Sequence, residues 1–429
     1  MTASLLAYRA ITATLSPFVG LILNSRVKKG KEDAARLQER KGYASRKRPN
    51  GKLIWMHGAS IGESQVLLLL FDALRKVEPG LQAVMTTQTM TSAELIARKS
   101  PDGLIHQVAP LDTPFAAERF LKHWHPDLAV FAEGDIWPNL ITKLDKLKIP
   151  RLLINARMTE KSFQGWMRVP ALATRLFGGF DHIIAANQKT ADFLKRFSRK
   201  RVKMPGNVKY AAPPLAVDQP LLERLKPIIG TRPVLAAIST HPEEEALVHR
   251  AFANCAKSMD EKPLLIIAPR HPERGKELVA EPPFDRGVYL RSRDGEPVQD
   301  QDIWICDTLG EVGTWITLSD VVFLGGGLSG SEIYGHNPIE PLKLRKHVIS
   351  FDDVDNFRTE FREMVEAGAA DLIADNSWRD LAKAILPYLK REDNFSADTD
   401  QLVDYLEADV ALKACRDAVL DTLKRGKTR

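Results

Sequence analysis

Short apolar runs alternate with helix-like segments along most of this 429-residue chain, and this alternation limits the folds that it can adopt. In the first half, runs with the composition of buried strands lie at LIWMH (53–57), LQAVMTT (81–87), DLAVFAE (127–133), RLLINA (151–156) and HIIAAN (182–187). Helix-like segments such as VLLLLFDALRKV (66–77) and SAELIARKS (92–100) separate them. Strands that alternate with helices favour a parallel, doubly wound sheet. The pattern therefore predicts an α/β domain at residues 51–212.

A second series of the same kind follows a proline-dense segment at residues 213–232, PPLAVDQPLLERLKPIIGTR. Because proline discourages regular structure, this segment is predicted to be an interdomain linker. The later strand-like runs are PVLAAIST (233–240), PLLIIAPR (263–270), GVYLRS (287–292), DIWICD (302–307), DVVFLGG (320–326) and KHVISF (346–351). We therefore expect a second Rossmann-like domain at 233–429, with closing helices. Ligands bind beyond the carboxyl ends of such strands, so two facing halves should enclose a central cleft.

The composition is that of a folded protein, with 44% hydrophobic and 27% charged residues. The long uncharged apolar runs of a polytopic membrane protein are missing from it. The three cysteines, Cys255, Cys306 and Cys415, lie far apart and form no CxxC pair. Neither a disulfide framework nor a zinc site is predicted, and a reducing cytosolic setting fits best.

Residues 1–50 combine an apolar segment with a basic one. Polar residues and Pro17 interrupt the apolar segment at 5–23, whose cleanest part is shorter than the roughly 20 residues that span a bilayer. Residues 26–52 hold 11 Lys or Arg and 3 Asp or Glu, so their charge is +8 and the rest of the chain sums to −2. This order predicts attachment to an anionic cytoplasmic membrane surface, peripheral or through a single amino-terminal anchor. A docked helix with a solvated basic linker is the alternative; nucleic-acid binding is not predicted, since Tyr43 is the patch's one stacking aromatic.

Polar clusters follow the predicted strands, at the sheet edge where ligands bind. They read GASIGES (58–64), EGDIWPN (133–139), NARMTEKS (155–162), GNVKY (206–210), STHPEEE (239–245), PRHPER (269–274), DTLGE (307–311) and GGGLSGSEIYGHNPIEP (325–341).

These motifs, in this order and after RVKKGKEDAARLQERKG (26–42), resemble the 3-deoxy-D-manno-oct-2-ulosonic acid (Kdo) transferases of lipopolysaccharide synthesis. The resemblance covers nearly the whole chain. It implies an inverting glycosyltransferase of GT-B type that moves Kdo from CMP-Kdo to a lipid A precursor. It also implies a location at the cytoplasmic face of the bacterial inner membrane, with no cofactor besides the donor substrate.

Glu63 maps onto the glutamate regarded as the family's base, which removes the acceptor hydroxyl's proton as its oxygen attacks the anomeric carbon. A position near a helix N-terminus favours the ionised carboxylate, and Ser60 and Gly62 are expected on the acceptor side. Ser60 and Glu63 also fit a Ser-x-x-Glu capping box, so a purely structural cap is the alternative. Glu133 and Asp135 are predicted to orient the acceptor.

The departing nucleoside monophosphate needs cations and N–H groups where negative charge develops. Arg270 is expected to bind the phosphate, with a surface ion pair to Glu273 as the alternative. Ser239 and Thr240 are expected to offer hydroxyl and amide groups at a helix start. His271 either contacts the donor or orients its loop.

Lys209 is expected to meet the donor's carboxylate or phosphate. GHNPIEP resembles the nucleotide-binding segment of two-domain glycosyltransferases, in which a glutamate accepts hydrogen bonds from ribose hydroxyls. Glu340 would be that residue, with Asn337 beside it. Gly326 and Gly327 would permit close backbone approach to the ligand, although turn formation is the alternative.

Glu311 is predicted either to cap a helix or to touch the nucleotide. The acidic string DDVD (352–355) follows a strand-like run and precedes a helix-like segment, so no metal site is predicted. Two other functions stay open. A related glycosyltransferase that uses a UDP- or GDP-sugar would share the fold and the ribose glutamate. A non-catalytic nucleotide- or lipid-binding protein would keep the fold alone.

Overall fold

The computed structural model describes residues 2–99, 101–280, 282–284, 288–297, 301–392, 397–407 and 409–426. The chain divides into two compact units. The first comprises Met1–Ala212 with Asp409–Arg429, and the second comprises Pro213–Ala408. Each described sheet is parallel throughout, which confirms the α/β prediction.

The first unit is built on a sheet with the strand order β3-β2-β1-β4-β5-β6-β7. The strands are β1 Leu53–His57, β2 Gln82–Thr87, β3 Leu104–Val108, β4 Leu128–Ala132, β5 Arg151–Ala156, β6 His182–Ala185 and β7 Val202–Lys203. The helices are α1 Ala3–Leu15, α2 Val19–Lys28, α3 Leu37–Arg40, α4 Ile61–Arg75, α5 Met90–Lys99, α6 Pro114–Trp124, α7 Pro138–Leu147, α8 Glu160–Met167, α9 Pro170–Phe177 and α10 Gln188–Lys195. Strands β1, β4 and β5 are buried along their whole length, as expected for strands covered on both faces. The strand order reverses between β1 and β4, where ligands bind in folds of this kind.

The second unit has the strand order β10-β11-β9-β8-β12-β13-β14. The strands are β8 Val234–Thr240, β9 Leu264–Pro269, β10 Tyr289–Leu290, β11 Ile303–Ile305, β12 Val321–Leu324, β13 Val348–Phe351 and β14 Ala370–Ile373. The helices are α11 Gln219–Ile229, α12 Glu244–Ala256, α13 Arg274–Ala280, α14 Arg291–Asp294, α15 Val312–Leu318, α16 Ile339–Lys343, α17 Arg358–Glu366, α18 Trp378–Leu389 and α19 Ala397–Glu407. Its order reverses between β8 and β12. Gly287, in the run that predicted β10, lies outside the described residues.

The last helix, α20 Val410–Gly426, belongs to the first unit, whereas the sequence assigned it to a domain at 233–429. Cys415 and Val419 are fully buried, and with Ala411 they form a stripe at helical spacing. This stripe packs into the same core as α4, because an amphipathic helix must bury its apolar face somewhere.

The segment predicted to be an irregular linker at 213–232 contains helix α11. The Asp218 side chain caps this helix by accepting a hydrogen bond from the Leu221 N–H at 3.0 Å. Pro220 lies in the first turn, where a helix does not use the missing N–H. Leu225 is fully buried. The prolines suggested an irregular segment, but the helical spacing of its apolar residues determines its structure.

The amino-terminal region forms one helical path, Ala3–Lys28, in which a 3₁₀ turn at Ser16–Phe18 joins α1 and α2. By length and composition alone this path could cross a membrane, as a single amino-terminal anchor would, although the interruptions in its sequence argued against a spanning helix. Pro17 does not break it, since the proline occupies the start of the 3₁₀ turn. The path also packs against the rest of the first unit, where the Tyr8 hydroxyl donates a hydrogen bond to Asp112 at 3.0 Å.

The basic segment at 26–52 is partly folded into the first unit. Buried Arg40 forms an ion pair with buried Glu32 at 2.9 Å, and Arg36 pairs with Glu39 at 2.6 Å. The structure therefore does not contain the wholly solvated basic linker that was the alternative prediction.

Candidate active site

Glu63 lies in the first turn of α4, just beyond the carboxyl end of β1. Its Oε2 accepts a hydrogen bond from the Ala59 N–H at 2.6 Å, and its Oε1 accepts from the Ser60 hydroxyl at 3.1 Å. Ser60 Oγ accepts in turn from the Glu63 N–H at 3.3 Å, so the contacts of a helix cap are present. Gly58 makes room for the side chain, because a Cβ there would lie 2.9 Å from the Glu63 Cβ.

Glu63, Glu133 and Asp135 form an acid cluster in the first unit. Burial raises the pKa of the Glu63 carboxyl above its usual value. Hydrogen bonds from the cap act against this shift, whereas the neighbouring Glu133 and Asp135 carboxylates add to it. A carboxylate with a raised pKa accepts a proton more readily than an exposed one. The geometry therefore supplies a proton acceptor as well as a cap.

Asp135 is held by a chain of buried hydrogen bonds. His57 Nε2 lies 3.1 Å from Asp135 Oδ2, and His57 Nδ1 lies 2.8 Å from Thr86 Oγ1. The Trp55 Nε1–H donates to the same Thr86 oxygen at 2.8 Å, and the Thr86 hydroxyl lies 3.5 Å from the Met56 carbonyl oxygen as a second acceptor. The His57 ring therefore connects Thr86 to Asp135. Burial acts to raise the pKa of Asp135. The contacts with His57 oppose burial, and the resulting pKa lies below the usual value.

Lys209 pairs with Glu133, its Nζ lying 2.9 Å from Glu133 Oε1. Gly62 adjoins the same ammonium group, since a Cβ at that position would lie 3.0 Å from Nζ. The Val208 N–H donates to Asn155 Oδ1 at 2.9 Å and fixes the segment that carries Lys209. In the first unit, Lys209 thus offsets part of the negative charge of the acid cluster.

Among the non-glycine residues of these motifs with a left-handed backbone, three lie at strand ends: Glu133 at φ 57°, Asn155 at φ 47° and Ser239 at φ 55°. This conformation costs about 1 kcal/mol or more per residue. Folded proteins retain such strain mostly where a side chain must take an unusual direction. Its placement at the carboxyl ends of β4, β5 and β8 agrees with a functional edge on each sheet.

Arg270, His241, His271 and His336 lie together in the second unit, and we call this group the cation cluster after the permanent charge of Arg270. Among the described residues the exposed Arg270 side chain forms no ion pair, so the alternative pair with Glu273 is not present. His241 Nε2 lies 2.8 Å from His336 Nε2, which requires that one ring donate and the other accept. Burial, followed by the neighbouring His241, Arg270 and His271, lowers the pKa of His336 to about 4. Such a cluster favours an anion beside it.

Glu244 anchors the glycine run that follows β12. This fully buried carboxyl accepts hydrogen bonds from the Gly326 N–H at 2.8 Å and from the His241 N–H at 2.9 Å. Burial raises the pKa of Glu244 to about 7. Gly326 has φ 87°, and a Cβ on Gly327 would lie 2.4 Å from the Phe351 carbonyl oxygen. Packing inside the unit therefore requires these glycines, whether or not a nucleotide binds.

Asn337 and Glu340 lie together at the start of α16, where Asn337 Nδ2 donates to Glu340 Oε1 at 3.2 Å. The Ile339 N–H donates to Asn337 Oδ1 at 3.2 Å and orients the amide. Glu340 is exposed and can receive further donors.

Two other residues that were predicted to contact the donor substrate bind side chains of the protein itself. The Thr240 hydroxyl donates to buried Glu245 at 3.3 Å. Glu311 is the N-cap residue of α15, but its side chain makes no capping hydrogen bond and accepts one from Arg291 at 3.0 Å instead. In the part of the chain that the structure describes, no group of three or more His, Cys, Asp or Glu could hold a metal ion.

Most of the predicted residues thus gather at two places, one in each unit, whereas Glu311 pairs with Arg291. The acid cluster has Ser60, Gly62 and Lys209 around it, and the cation cluster adjoins the glycine run. Sequence reasoning missed His57 and Glu244, although each lies inside or beside a quoted motif. Their position next to a strand end was the only signal, because their roles depend on partners distant in the chain.

Comparison with known proteins identifies relatives of this chain. Residues 35–212 match the profile of a family described as 3-deoxy-D-manno-octulosonic-acid transferase (kdotransferase). The 3-deoxy-D-manno-octulosonic acid transferase of Rickettsia bellii is 30% identical over 351 residues, which are 81% of this chain and 82% of that protein. The enzyme of the same name from Haemophilus influenzae is 30% identical over 77% of this chain and 78% of its own length.

A solved structure has a similar fold. The UDP-GlcNAc 2-epimerase from Neisseria meningitidis bound to UDP-GlcNAc aligns with a TM-score of 0.55 and 13% identity, over 86% of this chain and 100% of that one. With two Rossmann-like units in one chain, the fold is of GT-B type.

Proposed function

The chain belongs to the Kdo transferase family and is a glycosyltransferase that transfers Kdo in lipopolysaccharide synthesis, and we propose that its donor is CMP-Kdo and its acceptor a lipid A precursor. The observation that carries this proposal is the position of Glu63. In a chain of this family, a carboxyl with a raised pKa at the end of β1 suits removal of a hydroxyl proton.

The reaction forms a bond from an acceptor hydroxyl oxygen to the anomeric carbon of Kdo and breaks the bond from that carbon to a phosphate oxygen of CMP. Glu63 accepts the hydroxyl proton as the new bond forms. Attack from the face opposite the leaving group inverts the anomeric configuration. Glu133 and Asp135 accept hydrogen bonds from neighbouring acceptor hydroxyls, and the contact with His57 aims Asp135.

CMP departs with the electrons of the broken bond, so its phosphate gains negative charge. Arg270, which forms no ion pair among the described residues, binds this phosphate, and the histidines of the cation cluster add N–H donors. Glu340 and Asn337 bind the ribose. Lys209 moderates the charge of the acid cluster through Glu133. No step requires a metal ion.

A lipid acceptor is consistent with attachment to a membrane. The helical path Ala3–Lys28 exposes large apolar side chains, with Leu21 71% and Phe18 55% accessible. Exposed Lys28 ends this path and exposed Lys29 and Lys31 follow it, and their charges suit anionic head groups. We propose that the protein works at the cytoplasmic face of the bacterial inner membrane.

The test is transfer with defined substrates. Purified protein is incubated with a tetraacylated, phosphorylated lipid A precursor and a CMP-Kdo generating system, and the acceptor is analysed by mass spectrometry. We expect the mass to increase by whole Kdo units, and CMP, but not UDP or GDP, to raise the thermal unfolding midpoint. An unchanged acceptor in the presence of intact CMP-Kdo would contradict the proposed substrates.

A further inference from the structure

The first unit contains a cavity of about 520 Å³ beside its amino-terminal helical path. Three stretches line it: the turn that joins α1 and α2, the chain around the end of α3, and the start of α6. Gln38, Arg40 and Lys41 line it from the basic segment, but none of the residues assigned to the acid cluster or the cation cluster lines this cavity.

One side of the cavity is apolar. Pro17 and Val19 line it from the helical path, and Phe115, 54% exposed, lines it from α6. Next to Pro17, the exposed side chains of Leu15 and Phe18 continue the apolar surface along the helix. A hydrocarbon chain lying there would remove this surface from water.

The other side of the cavity carries two available cations. Lys41 and Arg119 line it, and within the described residues neither forms an ion pair with a carboxylate. Arg119 is oriented, because its Nη1 donates to the Lys41 carbonyl oxygen at 3.0 Å and its guanidinium lies 4.7 Å from the centre of the Tyr43 ring. Arg40, which also lines the cavity, differs from them because it forms an ion pair with Glu32, a carboxylate that Arg26 shares.

Side-chain contacts connect the cavity wall to the acid cluster. Arg40 Nη1 donates to Gln88 Oε1 at 3.1 Å, and its Nη2 donates to the Gln88 carbonyl oxygen at 2.6 Å. Gln88 Nε2 donates to Asp135 Oδ2 at 3.4 Å. One side chain, Gln88, therefore lies between the wall of the cavity and Asp135.

We propose that this cavity binds a phosphate group of the acylated acceptor, with Lys41 and Arg119 as its phosphate ligands. The apolar side then holds the adjoining acyl chain, and the sugar extends past Gln88 to the acid cluster. Lysine and arginine are suited to phosphate, and a cavity that is apolar on one side and cationic on the other fits an amphiphile with a phosphate at the junction. The inference rests on the proposed function and adds to it how the acceptor is recognised.

The test compares two double variants with the same loss of charge. Lys41→Ala/Arg119→Ala removes the proposed ligands. Lys122→Ala/Lys146→Ala removes two exposed lysines of the same unit that do not line the cavity. Both variants are assayed in detergent micelles with the phosphorylated acceptor and with the same lipid after removal of its phosphates, and their thermal midpoints are compared with that of the native protein.

We expect the cavity variant to raise KM for the phosphorylated acceptor about 10- to 100-fold, since it loses charge-assisted hydrogen bonds. Its KM for the dephosphorylated acceptor and for CMP-Kdo should match the control. If the native protein does not turn over the dephosphorylated lipid, the inhibition constant of that lipid replaces KM.

Equal KM changes for both acceptors, or a cavity variant that matches the control, would overturn the inference. So would a variant that loses only binding to vesicles of anionic phospholipid while its KM in detergent is unchanged, because the cavity would then hold a bilayer lipid. Failure of the native protein to transfer Kdo at all would refute the proposed function instead, and the two failures are thereby distinguished.

Discussion

Replacing His57 with asparagine should disturb the acceptor side of the reaction. His57 is 1% exposed and contacts both Asp135 and Thr86, and the shorter Asn side chain cannot reach both. A hydrogen bond to a charged group contributes about 1.5–3 kcal/mol, so losing the one to Asp135 corresponds to a decrease in kcat/KM for the acceptor of about 10- to 150-fold. The same loss removes a contact that lowers the pKa of Asp135, so this pKa should rise and the acid limb of the pH–rate profile should move to higher pH.

Steady-state kinetics over a range of pH, together with urea unfolding, tests this prediction. His106→Asn is the matched control, because His106 lies 2.9 Å from Thr87 Oγ1 in the same sheet but has no contact with the acid cluster. Both variants should lose stability, and only His57→Asn should change the kinetics. If His57→Asn lowers the free energy of unfolding but leaves kcat/KM and the pH profile as in the control, the positioning role is wrong.

Three further results are expected. Arg270→Gln should raise KM for CMP-Kdo about 10-fold or more and leave KM for the acceptor unchanged, because one charge-assisted contact to phosphate is lost; equal changes in both would contradict its role. Glu244 has a folded-state pKa of about 7 against an ordinary 4.5, so the free energy of unfolding of the native protein should decrease as pH rises between these values. Glu244→Gln should lessen that decrease; an equal decrease for both proteins in urea unfolding would contradict this prediction. Val419→Asp should reduce hydrogen-exchange protection in β1 and β4 but not in β8 and β12, since it puts a charge into the core that α20 shares with α4; loss of protection in the second sheet alone would place α20 there instead.

The central strands could be predicted from sequence because parallel strands covered on both faces are continuous apolar runs. The edge strands β3, β7 and β14 were not predicted. They are short or partly polar, as in Val202–Lys203, and only pairing with a neighbour makes them strands. Prolines concealed α11, and α20 was assigned to the wrong unit because an apolar stripe does not identify the core that it joins.

The site was predictable to the extent that its residues share one motif. Ser60 and Glu63 are three residues apart, so their contact follows from local helix geometry. His57 and Thr86 lie opposite each other on neighbouring strands, and that register depends on the order of the whole sheet. The link from Lys209 to Glu133 likewise joins segments that are distant in sequence.

The measurement that tests the central claim most directly is Kdo transfer by Glu63→Gln. Loss of a general base should lower kcat about 100- to 10,000-fold. CMP should bind as it does to the native protein, because Glu63 belongs to the first unit and the predicted nucleotide ligands to the second. The pKa of Glu63 is raised in the folded protein, so its ionised form disfavours folding above its ordinary pKa, and the neutral glutamine should not lower the unfolding midpoint at neutral pH. A folded Glu63→Gln protein that transfers Kdo within about 10-fold of the native rate would contradict the assignment of Glu63 as the base.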